Sequence, residues 1–330
     1  MSTITTAVPA DERNTLPSAS QTVIVLRRFR KHKLAVASLI LLGVLLAFSL
    51  LAPVIAPFQR DELNLQARFL TPFSTATDGR FHLFGTDHLG RDTFTRLLYA
   101  SRVSLGTAVF ATLLSSTIGI FLGMLAGYFG GWVDTAISRL IELVATFPTF
   151  VLLLIAVSIF VQNEKTIPIP EWITNFTSFL FAVNLREAKL VLMVNLILAA
   201  FGWPTTARLM RGMVLAVREN VYIESSRALG ASSWRIMAIH VLPNAIPPLI
   251  VDFTLNVNGT LVSESALSFL GVGITDPTPT WGNMLAYAQS YMFQYPWMPL
   301  IPALPILICS MAVNYIGDGL QDALDPRQRG

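Results

Sequence analysis

Residues Gly85 to Asp92, GTDHLGRD, carry the spacing of a phosphate-binding loop, with four residues between two glycines. Such a loop cradles phosphates on backbone amides, and a Lys followed by Ser or Thr then reaches the phosphates and Mg²⁺. Here Arg91 and Asp92 stand in those two places. The chemistry of nucleotide binding is therefore missing, and no other phosphate loop occurs in the chain. Asp87, Arg91 and Asp92 suit a local salt-bridged turn instead.

Two further acids, Asp252 and Glu264, lie in an otherwise uncharged stretch, 245–274. A charge at mid-bilayer costs about 2.5–3.5 kcal/mol on insertion scales, so such residues face a bundle interior or a watery path. Twelve residues separate the two acids, which sets them about 120° apart on a helix. Glu264 is the stronger candidate for lining a path or fixing a subunit interface. An internal hydrogen bond to another span is the equal alternative. His32, His82, His88 and His240 do not cluster at metal-ligand spacing. The single cysteine, Cys309, sits in an apolar run and reads as a small buried hydrophobe.

A third polar stretch, ESSRALGASSWRIMAIHVLPN from Glu224 to Asn244, interrupts greasy sequence on both sides. Val221, Ser225, Ala228 and Leu229 share one helical face. Glu224 and Arg227, three apart, can pair on the other. Gly230 suits a left-handed helix end, and Ser232 or Ser233 can cap a second helix. On that helix Trp234, Met237, Ala238 and Val241 follow the helical period, and Pro243 closes it. The stretch predicts two short amphipathic helices joined by a glycine bend, lying flat beneath a bilayer.

The elements that must hold these groups are oily. Of 330 residues 53% are hydrophobic and 13% charged, against about 25% charged in a soluble domain. That balance marks an integral membrane protein, with lipid as a partner and nucleic acid excluded. Residues 1–20 are rich in Ser, Thr, Ala and Pro and read as a disordered tail. Uncharged or nearly uncharged runs then cover 34–58, 103–133, 143–163, 190–207, 245–274 and 292–317. About 20 apolar residues suffice to span a bilayer. The fold class is thus all-α and polytopic, with six transmembrane helices. The 31 residues of 103–133 exceed one straight span and predict a turn near GYFGGW. Pro296, Pro299, Pro302 and Pro305 recur every third residue, which predicts that the last helix begins near Ile306; the remaining 306–317 is short for a crossing, so a kinked helix that holds the prolines and a re-entrant entry are the alternatives. The segments follow as a tail, 1–33; a first span, 34–58; an outer loop, 59–102; a five-helix core, 103–316, holding the polar loop 219–244; and a tail, 317–330.

With the N-terminus cytoplasmic, 14 of the 23 Lys and Arg residues fall on inner segments. The bias is strong in LRRFRKHK before the first span and in the loop from Arg208 to Arg235. Both termini are expected in the cytoplasm, and so is the polar loop.

The pattern E-S-S-x3-G-x11-L-P, from Glu224 to Pro243, resembles the EAA loop of bacterial ABC importer permeases, with two alanines replaced by serines. GTDHLGRDTFTRLLYASRVSL, GWPTTARLMRG, ALSFLGVG, PTPTWGNML and GDGLQDALDPR resemble the dipeptide, oligopeptide and nickel permeases, in the partner subunit that carries GTDxLGRD. The resemblance covers residues 25–327. It implies the permease fold of type I ABC importers in the cytoplasmic (inner) membrane of a bacterium or archaeon. It implies that Glu224, Ser225, Ser226, Arg227, Gly230, Leu242 and Pro243 form the coupling helix that docks on an ATPase. The implied partners are a homologous second permease, two ABC ATPase subunits and an extracytoplasmic substrate-binding protein. Asp87, Arg91 and Asp92 would share in docking that binding protein. No cofactor is expected on this chain; ATP and Mg²⁺ would belong to the ATPases, and no residue here would be catalytic. Nickel, where carried, would arrive chelated or receptor-bound. Cargo would cross by alternating access. An ion-coupled secondary transporter is the rival class, but it requires repeats with midplane charges in both halves. The outer segment 163–189 is longer than the family pattern, and its Trp172, Phe176, Phe179 and Phe181 are placed in the membrane interface.

Overall fold

The computed structural model describes residues 21–163 and 167–324. The expected tail at 1–20 lies outside them. Part of the expected inner tail is helical: α1 runs Gln21–Lys31 and buries Phe29 against Ile316 and Ala323. The His32 ring then caps α2, Lys33–Leu50, by accepting from the Ala35 amide at 3.2 Å. The first span ends earlier than residue 58. Pro53 lies in a separate single turn, α3, Ala52–Ile55, and the chain leaves helical geometry at Ala56. A cap of irregular chain follows, holding a short turn at Leu65–Ala67 and a small hairpin of β1 (Ser74–Thr75) and β2 (Phe81–His82).

Helix α4, Thr93–Phe129, begins ten residues before the apolar run at 103 and continues unbroken for 37 residues, about 55 Å. The Asp92 side chain caps it, accepting from the Thr95 amide at 2.7 Å. The expected turn falls at Gly130, whose φ of +64° suits glycine. Helices α5 (Gly131–Thr146) and α6 (Thr149–Gln162) follow, bent by 86° at Phe147 and Pro148. The run 143–163 is therefore no single span. Proline disfavours helix in the residue before it, and α6 alone has 14 residues. Among the described residues five helices are long and apolar enough to cross a membrane, or six if the bent pair counts as one span.

Beyond the short helix α7 (Glu171–Phe181), helix α8 spans Leu185–Val217. It is the enclosed centre of the bundle, packed along α4. The small residues Gly119, Gly123 and Gly127 recur every fourth position on α4 and let the two backbones meet. A Cβ added at Gly123 would stand 2.5 Å from the Ala207 carbonyl oxygen, and one at Gly127 2.6 Å from the Val214 Cβ. This is the small-residue packing by which helices associate in lipid.

After α8 come α9 (Val221–Ala228) and α10 (Ser233–Ile236). A π turn at Met237–Val241 then leads into α11, Leu242–Phe269. The short helix α12 is Trp281–Gln289, and α13 is Trp297–Leu324. Helix α13 corrects two expectations. It starts nine residues before Ile306, with Pro302 and Pro305 inside it, so the proline spacing does not delay it. It also extends seven residues past Gly317, where Gly319 packs on Ala35 of α2. The expected tail from 317 is helix to Leu324.

Candidate functional site

The polar stretch folds into a hook at the end of α8 and the start of α11. Its two short helices and its glycine bend are as expected; the inward face of the first is not, and the second buries Met237 and Val241 of its expected face but not Trp234 or Ala238. In α9 the buried residue is Ile223, which packs with Val214, Val217 and Ile236. The face expected to be covered points out: Val221 is 77% and Leu229 89% exposed. Glu224 makes no ion pair with Arg227 among the described residues; Arg227 instead lies 5.7 Å over the Tyr128 ring. Ile236, Met237 and Val241 anchor the second half, while Trp234 is exposed and stacks on Phe121. A helix of two turns has room for one buried stripe, and here α8 covers it rather than lipid.

The bend is built by backbone chemistry. Gly230 has φ +83°, its amide donates to the Arg227 carbonyl at 3.0 Å, and Ala231 donates to Ser226 at 3.1 Å. That pair of bonds is a Schellman ending. Ser232 Oγ accepts weakly from the Arg235 amide at 3.4 Å. The Ser225 and Ser226 hydroxyls donate back to Val221 and Tyr222, at 2.9 and 2.7 Å. Pro243 does not close the second helix. It stands at the start of α11, where no amide donor is needed, and the chain passes from hook to span without a break.

The opposite end carries the cap. Inside GTDHLGRD the Asp87 carboxylate accepts from the amides of Leu89 and Arg91, at 2.8 and 3.0 Å. The amide cradle is thus filled by the loop's own side chain. The spacing of the two glycines has a packing cause. Gly85 and Gly90 have positive φ, and a Cβ on either would strike a backbone oxygen, of Leu70 or of Asn64. The expected salt-bridged turn is present, with Arg91 Nε donating to Asp87 at 2.7 Å. Arg91 and Asp92 are buried, so of the three residues expected to dock a receptor only Asp87 keeps appreciable exposure.

The turn belongs to a longer chain of charges that the sequence reading missed. Glu187 accepts from Arg60, Arg60 pairs with Asp61, and Arg96 bridges Asp61 and Asp276. Asp276 also accepts from Arg91. Burial alone would lower the pKa of Arg60, but its bonds to Glu187 and Asp61 hold it above the ordinary value. Arg91 behaves alike beside Asp87 and Asp276. His82 meets Asp92 at 2.7 Å and stacks on Phe58. His88 stacks between Tyr287 and Tyr291, and burial pushes its pKa down. The available signal was the rarity of charge: each Arg or acid at the head of a span in so apolar a chain needs a partner.

The two acids of α11 divide. Glu264 is wholly buried and accepts from Ser268 Oγ at 2.8 Å, with Ser104 and Thr280 also bonded to it. It therefore ties α11 to α4 and to the start of α12, which is the internal alternative. Asp252 is partly exposed and accepts from Thr206 at 2.6 Å and Asn256 at 3.0 Å. In α7, Trp172, Phe176 and Phe179 face outward, whereas Phe181 is buried and packs on Gly106 and Phe110. Cys309 is buried. Among the described residues no group of His, Cys, Asp and Glu could hold a metal ion.

Apolar helices of this length, with a hook at one end and an ion-paired cap at the other, define a multi-pass membrane protein. Residues 119–330 match the family described as binding-protein-dependent transport system inner membrane component, and residues 20–72 match the N-terminal TM domain of oligopeptide transport permease C. The chain belongs to that family of ABC importer permeases, and its place is the inner membrane. The dipeptide transport system permease protein DppC of Haemophilus influenzae is 35% identical over 299 residues, 91% of this chain and 92% of that protein. The glutathione transport system permease protein GsiD of Pectobacterium atrosepticum is 34% identical, covering 91% and 89%. The oligopeptide transport system permease protein OppC of Mycobacterium tuberculosis is 33% identical, covering 94% and 96%. Among solved structures, a chain of the inward-facing methionine ABC transporter MetNI is similar at a TM-score of 0.47, with 19% identity over 70% of this chain and 97% of that one.

Proposed function

We propose that this chain is the transmembrane subunit of an ATP-driven importer of di- or oligopeptides or a related solute. The hook carries that reading. It exposes apolar side chains, Val221 and Leu229, on a frame fixed by Ile223, Ile236 and the Gly230 ending. Apolar groups held rigidly in the open suit a protein partner. The partner is an ATPase subunit, and Glu224, Ser225, Ser226, Arg227, Gly230, Leu242 and Pro243 form or frame the contact. The hook runs directly into α11, so a push on it moves a span. ATP binding closes two ATPases, the hook moves, and the outer gate opens to cargo delivered by an extracytoplasmic binding protein. The second permease subunit supplies the other half of the path. The filled cradle at Asp87 supports the assignment of ATP and Mg²⁺ to the ATPases. Both described ends of the chain, α1 and the end of α13, pack together, which fits both termini in the cytoplasm.

The test is a cysteine at Leu229 in the complete importer, paired with cysteines in the ATPase. Cross-linking that changes with ATP is expected. Glu224→Lys and Gly230→Pro should abolish uptake while the protein still inserts. Normal uptake by a well-expressed Gly230→Pro variant would sink the coupling role.

A further inference from the structure

An open polar groove of about 240 Å³ lies among α4, α8, α11 and the elbow between α5 and α6, and Thr149, Thr205 and Arg208 on its wall are exposed. Ser115, Thr149, Thr205, Asn256 and Thr260 contribute hydroxyl and amide groups to its wall, and Arg208 is the one charged side chain there. Arg208 sits well inside α8, nine residues before its end at Val217, about 14 Å along the axis. A cation at that depth faces water or an anion rather than lipid. Among the described residues no acid pairs with it. The acids nearby in the fold are already engaged: Asp134 is gripped by Arg211 through two bonds, and Asp252 is held by Thr206 and Asn256. The groove therefore offers one unmatched positive charge ringed by neutral donors and acceptors.

We infer that this groove is a cargo subsite in which Arg208 takes the C-terminal carboxylate of a peptide. The planar guanidinium matches a carboxylate with two parallel bonds. Thr149 and Thr205, which make no side-chain hydrogen bond into the wall of the groove, receive the neighbouring amide group. The neutral wall lets the charge act on cargo without trapping a second ion. This inference rests on the peptide-importer reading above, and it places a selecting group in the membrane subunit itself.

The full importer, with receptor and ATPases, is reconstituted in vesicles and given alanyl-alanine, tetra-alanine and tetra-alanine amide. Arg208→Gln should lower uptake of both free acids at least tenfold. Uptake of the amide should match the unaltered protein's, and receptor-stimulated ATP hydrolysis should stay within threefold. Arg208→Lys should keep at least a third of the uptake. Free-acid uptake within twofold for Arg208→Gln overturns the subsite, as does an equal tenfold loss for the amide. Loss of co-purifying subunits in both variants also overturns it, marking Arg208 as a contact with the second permease. If the unaltered importer takes up none of the three with receptor and ATP, the peptide-importer reading fails first.

Discussion

Arg60 grips Glu187 through two parallel bonds of 2.8 Å, joining the cap to the head of α8 across 127 residues of chain. Glu187 is buried and also accepts from Asn184 at 2.6 Å. Removing one partner of a buried pair strands the other charge and costs about 3 kcal/mol or more. Glu187→Gln should lower the thermal midpoint of the purified protein clearly. Asp61→Asn should cost less than about 1 kcal/mol, because Asp61 is well exposed. The double replacement Arg60→Met with Glu187→Leu should recover part of the loss. Equal midpoints for Glu187→Gln and Asp61→Asn would show that the pair does not hold the cap.

Gly123 tests the seam between α4 and α8. Its missing side chain faces the Ala207 carbonyl and the Met210 Cβ. Backbone atoms cannot swing aside, so even alanine must separate the helices. Overpacking of this kind costs about 1–3 kcal/mol. Gly123→Ala should destabilise the protein by that amount and Gly123→Leu should prevent folding. Gly43, with open space around an added Cβ, is the control: Gly43→Ala should leave the midpoint unchanged.

Gly230 poses the opposite case. An added Cβ meets nothing within 4 Å, yet the residue has φ +83°. Only backbone strain opposes a side chain there, about 1–2 kcal/mol for an L-residue. Gly230→Asn should retain most uptake and Gly230→Val should lose much of it, while both leave the thermal midpoint of the spans nearly unchanged. Uptake assays beside melting curves separate the two effects.

His88 makes the cap sensitive to acid. Burial lowers its pKa from the ordinary 6.5. The unfolded cap therefore binds the proton more readily, so stability is full above about pH 6.5 and is lost as pH falls through the depressed folded value. Amides of the cap and of α12 should exchange hydrogen faster at pH 5.5 than at pH 7.5, after correction for intrinsic rates. His88→Phe keeps the stacking on Tyr287 and Tyr291 and should remove that step. If the step persists in His88→Phe, another group is responsible.

Local signals in the sequence were reliable where one residue type decides the backbone. Gly230 ends its helix as read, the turn expected near GYFGGW falls at Gly130, and the apolar runs announce the spans. Signals failed where a run's composition hides its geometry. Pro148 breaks 143–163 into an elbow, while Pro302 and Pro305 sit within an intact helix. The difference lies in what each helix packs against, and composition does not record that. The motif from Gly119 to Gly127, in contrast, was legible as a close-packing stripe and went unread.

By itself the sequence determined a polytopic helical protein with a polar hook and a glycine-punctuated loop. Those features depend on periodicity, on backbone freedom at glycine and on the cost of charge in lipid, all of which act over a few residues. Only the tertiary structure decided that α9 turns Leu229 outward and Ile223 inward. It alone joined Arg60 to Glu187 and Arg96 to Asp276, buried Glu264 as a strut and left Arg208 unmatched in a groove. The pairings and burials among those outcomes set side chains against partners far away in the chain. Burial and pairing belong to the packed bundle, and local pattern cannot encode them.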